Sequence, residues 1–476
     1  MFRPTVLGPS SLASDTFVNT YPHQFMISTS DAVRLPGWPR TSLEGVQIDT
    51  APDLALTMLT AADGRRVGVV FGLAIAPDGR MLTDEYRLGG SEDDAILREA
   101  EALVERTAGR FAAVISVGAH RRLYLDPVGD LAAVYNPQTR VAGSTTLFVM
   151  EGDFQDNPLF PFGEIKKSEA HYGLGHTRDR GTHRLLANYY LDLDSFRPVR
   201  HWPRGDTDLV TRTDADEMST IMDEITARLG RNMSEILRER TCIVPLSGGR
   251  DSRCLVAAAL PEMTRAFTLF AWRFHRMSGR DAVLGAQLAA FLGLPFQEFK
   301  FVKLTREVKA LYLRRNGYSN FGTALQSLAI SETLPGGMVM PRGNIMGIMR
   351  ATNWNGKTEE MPFDPLHALR RLQLGTATAD PDRKEQLLAQ VNAWYDHLPQ
   401  SARPKVYDIL WLDMVLTHGQ GTRNYGTPNN FVVNPFNDRR LIQLSMQLPL
   451  HLRKSDAPYD MILDRTVPAL KEFEYN

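Results

Sequence analysis

The chain has only two cysteines in 476 residues, Cys242 and Cys254. Both sit among apolar neighbours, so they read as small core residues rather than a redox pair or a disulfide framework, and a reducing cytoplasm fits them. No apolar run reaches the roughly 18 residues a membrane span needs, and no basic run of five or more is present. The start, MFRPTVLGPSSLASD, lacks a continuous apolar core, so no secretory signal is expected. Lys and Arg number 54 against 55 Asp and Glu, a formal net charge of −1 that points to neither a general nucleic-acid binder nor a membrane-surface binder. Low-complexity tracts and internal repeats are also missing. No His/Cys/Asp cluster has metal-ligand spacing, which excludes a structural zinc. With 43% apolar and 23% charged residues, the chain is globular and long enough for two or three domains.

Two parts are legible. Residues 20 to about 204 contain short alternating or apolar runs broken by turns, such as VGVVFGLAIAPDGR (67–80) and RFAAVISVGAHRRLYLDPVGD (110–130), which predict a β-rich domain. Within it, Ile96, Ala100, Leu103 and Val104 share one face of a helix over Ser91–Arg106 behind an acidic first turn. The stretch Trp202-Pro-Arg-Gly-Asp-Thr-Asp reads as a boundary, giving domains 1–204 and 205–476. Beyond it, Met218, Ile221, Ile225, Leu229, Met233 and Ile236 recur at three- and four-residue steps, predicting a long helix over Asp214–Arg238. A strand at 241–246, a strand at Ala266–Trp272, a helix at Asp281–Leu292 capped by Asp281 and ended by Gly293, and a strand at Phe296–Val302 follow. That alternation predicts a parallel sheet with helices on its faces. Residues 304–476 read as mostly helical.

The most informative stretch is Ile243-Val244-Pro245-Leu246-Ser247-Gly248-Gly249-Arg250-Asp251-Ser252-Arg253. An apolar strand runs into a Ser-Gly-Gly turn and then a helix. Glycines 248 and 249 allow a sharp turn and close approach of an anion, the helix start supplies N–H groups and a positive dipole end, and Ser247 and Ser252 add hydroxyls. Asp251 would hold a magnesium ion beside the same phosphates. Pro245 is awkward in a strand because it cannot donate to a ladder.

The SGGxDS pattern resembles the PP-loop of ATP pyrophosphatases, and the wider layout resembles the asparagine synthetase superfamily. AFTLFAW followed by DAVLGAQLAAFLGLPFQEF, Asn434-Pro-Phe-Asn-Asp-Arg-Arg-Leu, and the 110–136 segment are similar to that family's motifs. The resemblance implies an αββα glutaminase-like N-terminal domain and a PP-loop, parallel-sheet domain with a helical C-terminal part. It implies ATP and Mg²⁺ as cofactors, nucleotide contacts from Leu246, Ser247, Gly248, Gly249, Asp251, Ser252, Arg253, Phe270, Arg273, Gly343 and Asn344, and catalytic roles for Asp251, Arg342 and Lys454. The implied reaction activates a carboxylate as an acyl-adenylate, releases pyrophosphate and forms an amide with an amine. The substrates are a small-molecule or peptide carboxylate and amine, with no nucleic acid or membrane partner; a homodimer is left open.

Three departures bear on this. The family's N-terminal cysteine nucleophile is replaced by Met1-Phe2, so no glutamine hydrolysis is expected. Residues 341–347, PRGNIMG, lack the family's acidic pair, leaving either one magnesium ligand fewer or Arg342 and Asn344 on the nucleotide; Arg350 lies in the same segment. Lys454 and Arg465 both compete for the place of the family's C-terminal lysine. Arg423 and Asn424 follow a Gly-rich break and are further candidates, while His418 and His451 read as surface or cap residues. An intramolecular cyclase and a non-catalytic nucleotide-binding scaffold remain alternatives to the synthetase.

Overall fold

The computed structural model describes residues 14–321 and 324–476. The molecule is mixed α/β, with several sheets and a largely helical C-terminal part.

Two sheets of six and seven strands occupy residues 25–200. All but one of their pairings are antiparallel; Leu56–Thr60 and Asp84–Arg87 run parallel. The sheets face each other across a core of Phe25, Ile27, Ile48, Phe71, Val114 and Leu125. The outer face of the seven-stranded sheet is covered by the helix Asp93–Arg106, whose Ile96, Leu97, Ala100, Leu103 and Val104 are buried as the periodicity predicts. The outer face of the other sheet packs Phe17, Tyr21, Trp38 and Phe148.

The long helix runs over Ala215–Glu239, one residue from the expected span, because the Asp214 carboxylate accepts the N–H groups of Asp216 and Glu217, each at 3.0 Å. Its buried face joins the main core, which continues into the C-terminal helices.

Ile243–Pro245, Thr268–Arg273 and Phe296–Lys300 form a parallel three-stranded sheet in that order. Two strands in the region read as helical, Val339–Pro341 and Phe431–Val433, pair in parallel with each other. A bridge between Cys242 and Val339, with Val339 N–H donating to Thr241 O at 2.9 Å, joins the two ladders into one parallel array. In chain order its strands stand third, second, first, fourth, fifth. Pro245 is accommodated because Leu246 N–H donates to Phe270 O, so the Pro245 nitrogen faces the other edge, where pairing is confined to that bridge.

The helix after the second strand starts at Arg276, not Asp281. His275 accepts the Ser278 N–H and Ser278 Oγ accepts the His275 N–H, a reciprocal cap that leaves Asp281 in the second turn. Trp411–Gly421, read as ordinary helix, is a π-helix. Among the described residues, no helix is long and apolar enough to cross a membrane.

Candidate functional site

In an open parallel sheet, ligands bind beyond the carboxyl ends of the strands, where the chain order reverses. Here that point lies between the first and fourth strands. The Leu246–Gly249 turn leaves the first, and the Arg342–Arg350 segment leaves the fourth.

The turn is closed by its own neighbours. Ser247 N–H donates to Ser252 Oγ and Gly249 N–H to Ser247 Oγ, both at 3.1 Å. Gly248 N–H donates to a carboxylate oxygen of Asp281, also at 3.1 Å. Asp281 is thus an acceptor for the turn rather than a helix cap. Space at Gly248 is tight: a Cβ would lie 2.5 Å from Leu284 Cδ1 and 3.0 Å from Asn476 Cβ, so those side chains would have to shift.

Asp251 is on the first turn of the helix Arg250–Ala258. Its Oδ1 is buried and has no hydrogen-bond partner among the described residues, and Arg350 Nη2 lies 3.8 Å away. Burial pushes the carboxyl up from its usual range, against the pull of Arg350 and Tyr459. The 343–350 segment comes this close because residue 343 has no side chain: a Cβ there would stand 2.9 Å from Asp251 Cβ and 3.2 Å from its carbonyl. A ladder of charges continues outward. Arg350 Nε pairs with Asp456 at 3.0 Å, and Arg250 pairs with Asp460 at 2.8 Å and Asp456 at 3.5 Å. Tyr459, whose hydroxyl donates to Met346 O at 2.7 Å, lies beneath Arg350.

The structure therefore brings together Leu246, Ser247, Gly248, Gly249, Asp251, Ser252 and Gly343. Asn344 is one residue away, its Oδ1 accepting from Asn434 Nδ2 at 3.1 Å. Arg342 donates its main-chain N–H to Val433 O and directs its guanidinium toward the Trp272 ring, 6.0 Å from the centroid. Burial draws its pKa down to about 10, Arg423 acts the same way and Asp130 opposes. Among the described residues, no carboxylate stands within ion-pair distance of it.

Other candidates are placed elsewhere. Arg253 is not free to contact a nucleotide. It is fully buried and donates to the carbonyls of Leu470, Phe473, Glu474 and Gly248, fastening the C-terminal tail over the turn. Phe270 is a core residue packed with Ile243 and Met340; its carbonyl, not its ring, supports Leu246. Arg273 is half exposed and paired with Glu298 at 2.9 Å. Lys454 is exposed and donates to Lys357 O at 2.9 Å, while Arg465 pairs with Asp223 on the long helix, so neither joins the site.

Asn424 donates to Asp130 at 2.7 Å, on the turn where the sandwich meets the C-terminal part, and Arg423 Nε is buried without a partner. His418 is no surface residue: it is buried, and its Nε2 accepts the Gly175 N–H at 3.1 Å. His451 is exposed, as expected. Both cysteines are buried and unpaired, and burial pushes the Cys242 thiol up to about 12.

Sequence reasoning missed Asp456, Tyr459, Asp460 and Tyr475. The first three carried a signal, since positions three and four apart on a helix share a face. Tyr475, whose ring lies 3.8 Å from the Arg250 guanidinium and 4.0 Å from that of Arg253, had none. No protein-family model matches this chain, and no curated protein matches its sequence.

Proposed function

We propose that this protein is an ATP-dependent amide-forming synthetase of the asparagine synthetase type, with a glutaminase-like sandwich that does not supply ammonia and a PP-loop domain that adenylates a carboxylate. The supporting observation is the Ser247–Ser252 turn at the reversal point of a parallel sheet, with a second strand-end segment packed on it through Gly343 and Asp251. Gly248 N–H donates to Asp281, so a phosphate bound at the turn would have to displace that carboxylate.

Magnesium fits this site as a single-carboxylate ion. Among the described residues no group of three acidic or histidine side chains could hold a metal, but Mg²⁺ commonly takes one or two carboxylates together with substrate phosphates and water. The Oδ1 of Asp251, buried without a hydrogen bond among the described residues and 3.8 Å from Arg350, would be the ligand. Bound there, the ion would neutralise phosphate charge. Arg350 and Arg250 would add fixed positive charge at the leaving pyrophosphate, and the tail from Leu470 to Asn476 would have to yield space above the turn.

One observation favours a second reading, a nucleotide-binding scaffold without turnover. All three N–H groups of Ser247, Gly248 and Gly249 are satisfied internally, and the tail covers them. ATP–pyrophosphate exchange with a panel of carboxylates separates the two. We expect exchange in the wild type and a loss of about 10²–10³ in Asp251→Asn, the range for removing one charge-stabilising contact from an active site. Tight ATP binding with no exchange for any carboxylate would favour the scaffold. Equal exchange in wild type and variant would remove Asp251 from the chemistry. An internal-amine substrate would make the enzyme a cyclase, a distinction the product's mass would settle.

A further inference from the structure

At the opposite, amino end of the parallel strands, a cavity of about 380 Å³ opens between the sandwich and the sheet. It falls within the range of about 300–1,000 Å³ typical of small-molecule sites. Its walls come from both parts of the chain. Leu73 comes from the sandwich, while Met338, Val339 and Phe431 come from the starts of the fourth and fifth parallel strands.

The polar groups on this wall are few and unequally satisfied. His23 Nδ1 lies 2.9 Å from Asp53 Oδ2, and its Nε2 lies 3.1 Å from Pro428 O, so both ring nitrogens face oxygen acceptors. The ring stands edge-on to Phe431, 5.2 Å between centroids. The Asp53 carboxylate is therefore already engaged, and although burial opposes it, the His23 contact holds its pKa below the usual range. Arg240 is different. Its one hydrogen bond goes from Nη1 to the neighbouring Glu239 carbonyl at 2.8 Å, and among the described residues no carboxylate pairs with it. A partly exposed guanidinium at the edge of an apolar wall, without a paired carboxylate among the described residues, is suited to a carboxylate attached to an apolar body.

We infer that this cavity is a binding site for a small apolar monocarboxylate, with Arg240 holding the acid group and Leu73, Met338 and Phe431 covering the body. It is separate from the crevice at the carboxyl ends, and it stands whether or not the synthetase reading holds.

The test is calorimetric titration of the full chain with 3-phenylpropionate and octanoate, with 3-phenylpropan-1-ol as the neutral analogue. We expect saturable binding of at least one acid and binding of the alcohol at least tenfold weaker. Arg240→Met should weaken acid binding tenfold or more and leave the alcohol unchanged, the scale of one charge-assisted hydrogen bond. Ala55→Trp, on the cavity wall, should abolish binding while an unchanged melting temperature shows the fold intact. ATP with magnesium should not compete, and Asp251→Asn should bind the acid as the wild type does. The inference is overturned if neither acid binds, if acid and alcohol bind equally, or if Arg240→Met binds like the wild type. Competition by ATP would place the acid in the other crevice and overturn it as well.

Discussion

Substituting Gly343 tests whether the site is built by the close approach of two strand-end segments. Its backbone is not left-handed (φ −104°), so alanine pays no conformational penalty there. The cost is steric. The new methyl would stand 2.9 Å from Asp251 Cβ and 3.2 Å from both the carbonyl carbon and oxygen of Asp251. These are main-chain and Cβ atoms at a helix start, which cannot rotate away as the tip of a long side chain can. Overpacking of this kind costs about 1–3 kcal/mol. If all 476 residues unfold together, 1 kcal/mol corresponds to only about 1 °C in melting temperature, so denaturant midpoints are the better stability assay. The functional effect should be larger, because a displacement of about 1 Å in a positioned active site can cost around 10²-fold in rate. Gly347→Ala is the control four residues on. Its methyl meets only the Trp411 ring edge, at 3.3 Å, a side-chain contact needing a shift of a few tenths of an ångström, so its stability should change by less than about 1 kcal/mol. We expect Gly343→Ala to lower the urea midpoint and ATP–pyrophosphate exchange while Gly347→Ala leaves both close to wild type. Equal behaviour of the two variants, or full exchange in Gly343→Ala, would refute the packing argument.

Burial raises the Asp130 pKa to about 7, with Asp126 acting the same way and Arg110 opposing. A carboxyl raised in the folded state contributes stability that is intact below the unfolded value of about 4 and is lost as pH rises toward 7. Asp130→Asn should therefore gain stability relative to wild type between pH 4 and 7, measured by urea midpoints; a difference independent of pH would contradict this. Arg253→Met removes the donor to four carbonyls and should free the 470–476 tail, seen as faster carboxypeptidase trimming and a stability loss of about 3 kcal/mol; an equally resistant tail would count against the assignment. Lys454→Ala should change stability by less than about 0.5 kcal/mol and leave exchange untouched, since its amine contacts only an exposed carbonyl; a large loss of exchange would restore the lysine to the site.

What the sequence disclosed, and what it hid, divides by range of interaction. The helices at 93–106 and 215–239 were readable because periodicity and acidic first turns are local signals. The Ser-Gly-Gly turn was readable because strand, turn and helix are contiguous. The start of the 276–291 helix was missed because its cap is a histidine, a weaker N-cap signal than the aspartate six residues later. Val339–Pro341 and Phe431–Val433 were missed because three residues are too few to carry a period. Arg253 was misread because three of its four partners are more than 200 positions away, and nothing beside it announces burial. The pairing of Asp251 with Arg350 had no local trace at all, although both residues were candidates.

The π-helix at Trp411–Gly421 has a consequence for how this interface tolerates change in length. In its first turn, Asp413 is fixed by Asn188, Arg200 and Trp394; just past its end, Thr422, Asn424 and Tyr425 grip Arg184, Asp130 and Ala132. Between these anchors Gly421 lies so close to the Gly129 carbonyl that no side chain fits. Bonding from i to i+5 spreads more residues over each turn than an α-helix does. The segment thus acts as a phase adjuster between two rigid grips. Shortening it by one residue would let the coil relax to ordinary α-helical winding but rotate one grip against the other by about 100°. A deletion anywhere in these eleven positions should therefore cost more than a substitution at any of them, even at the half-exposed Gln420.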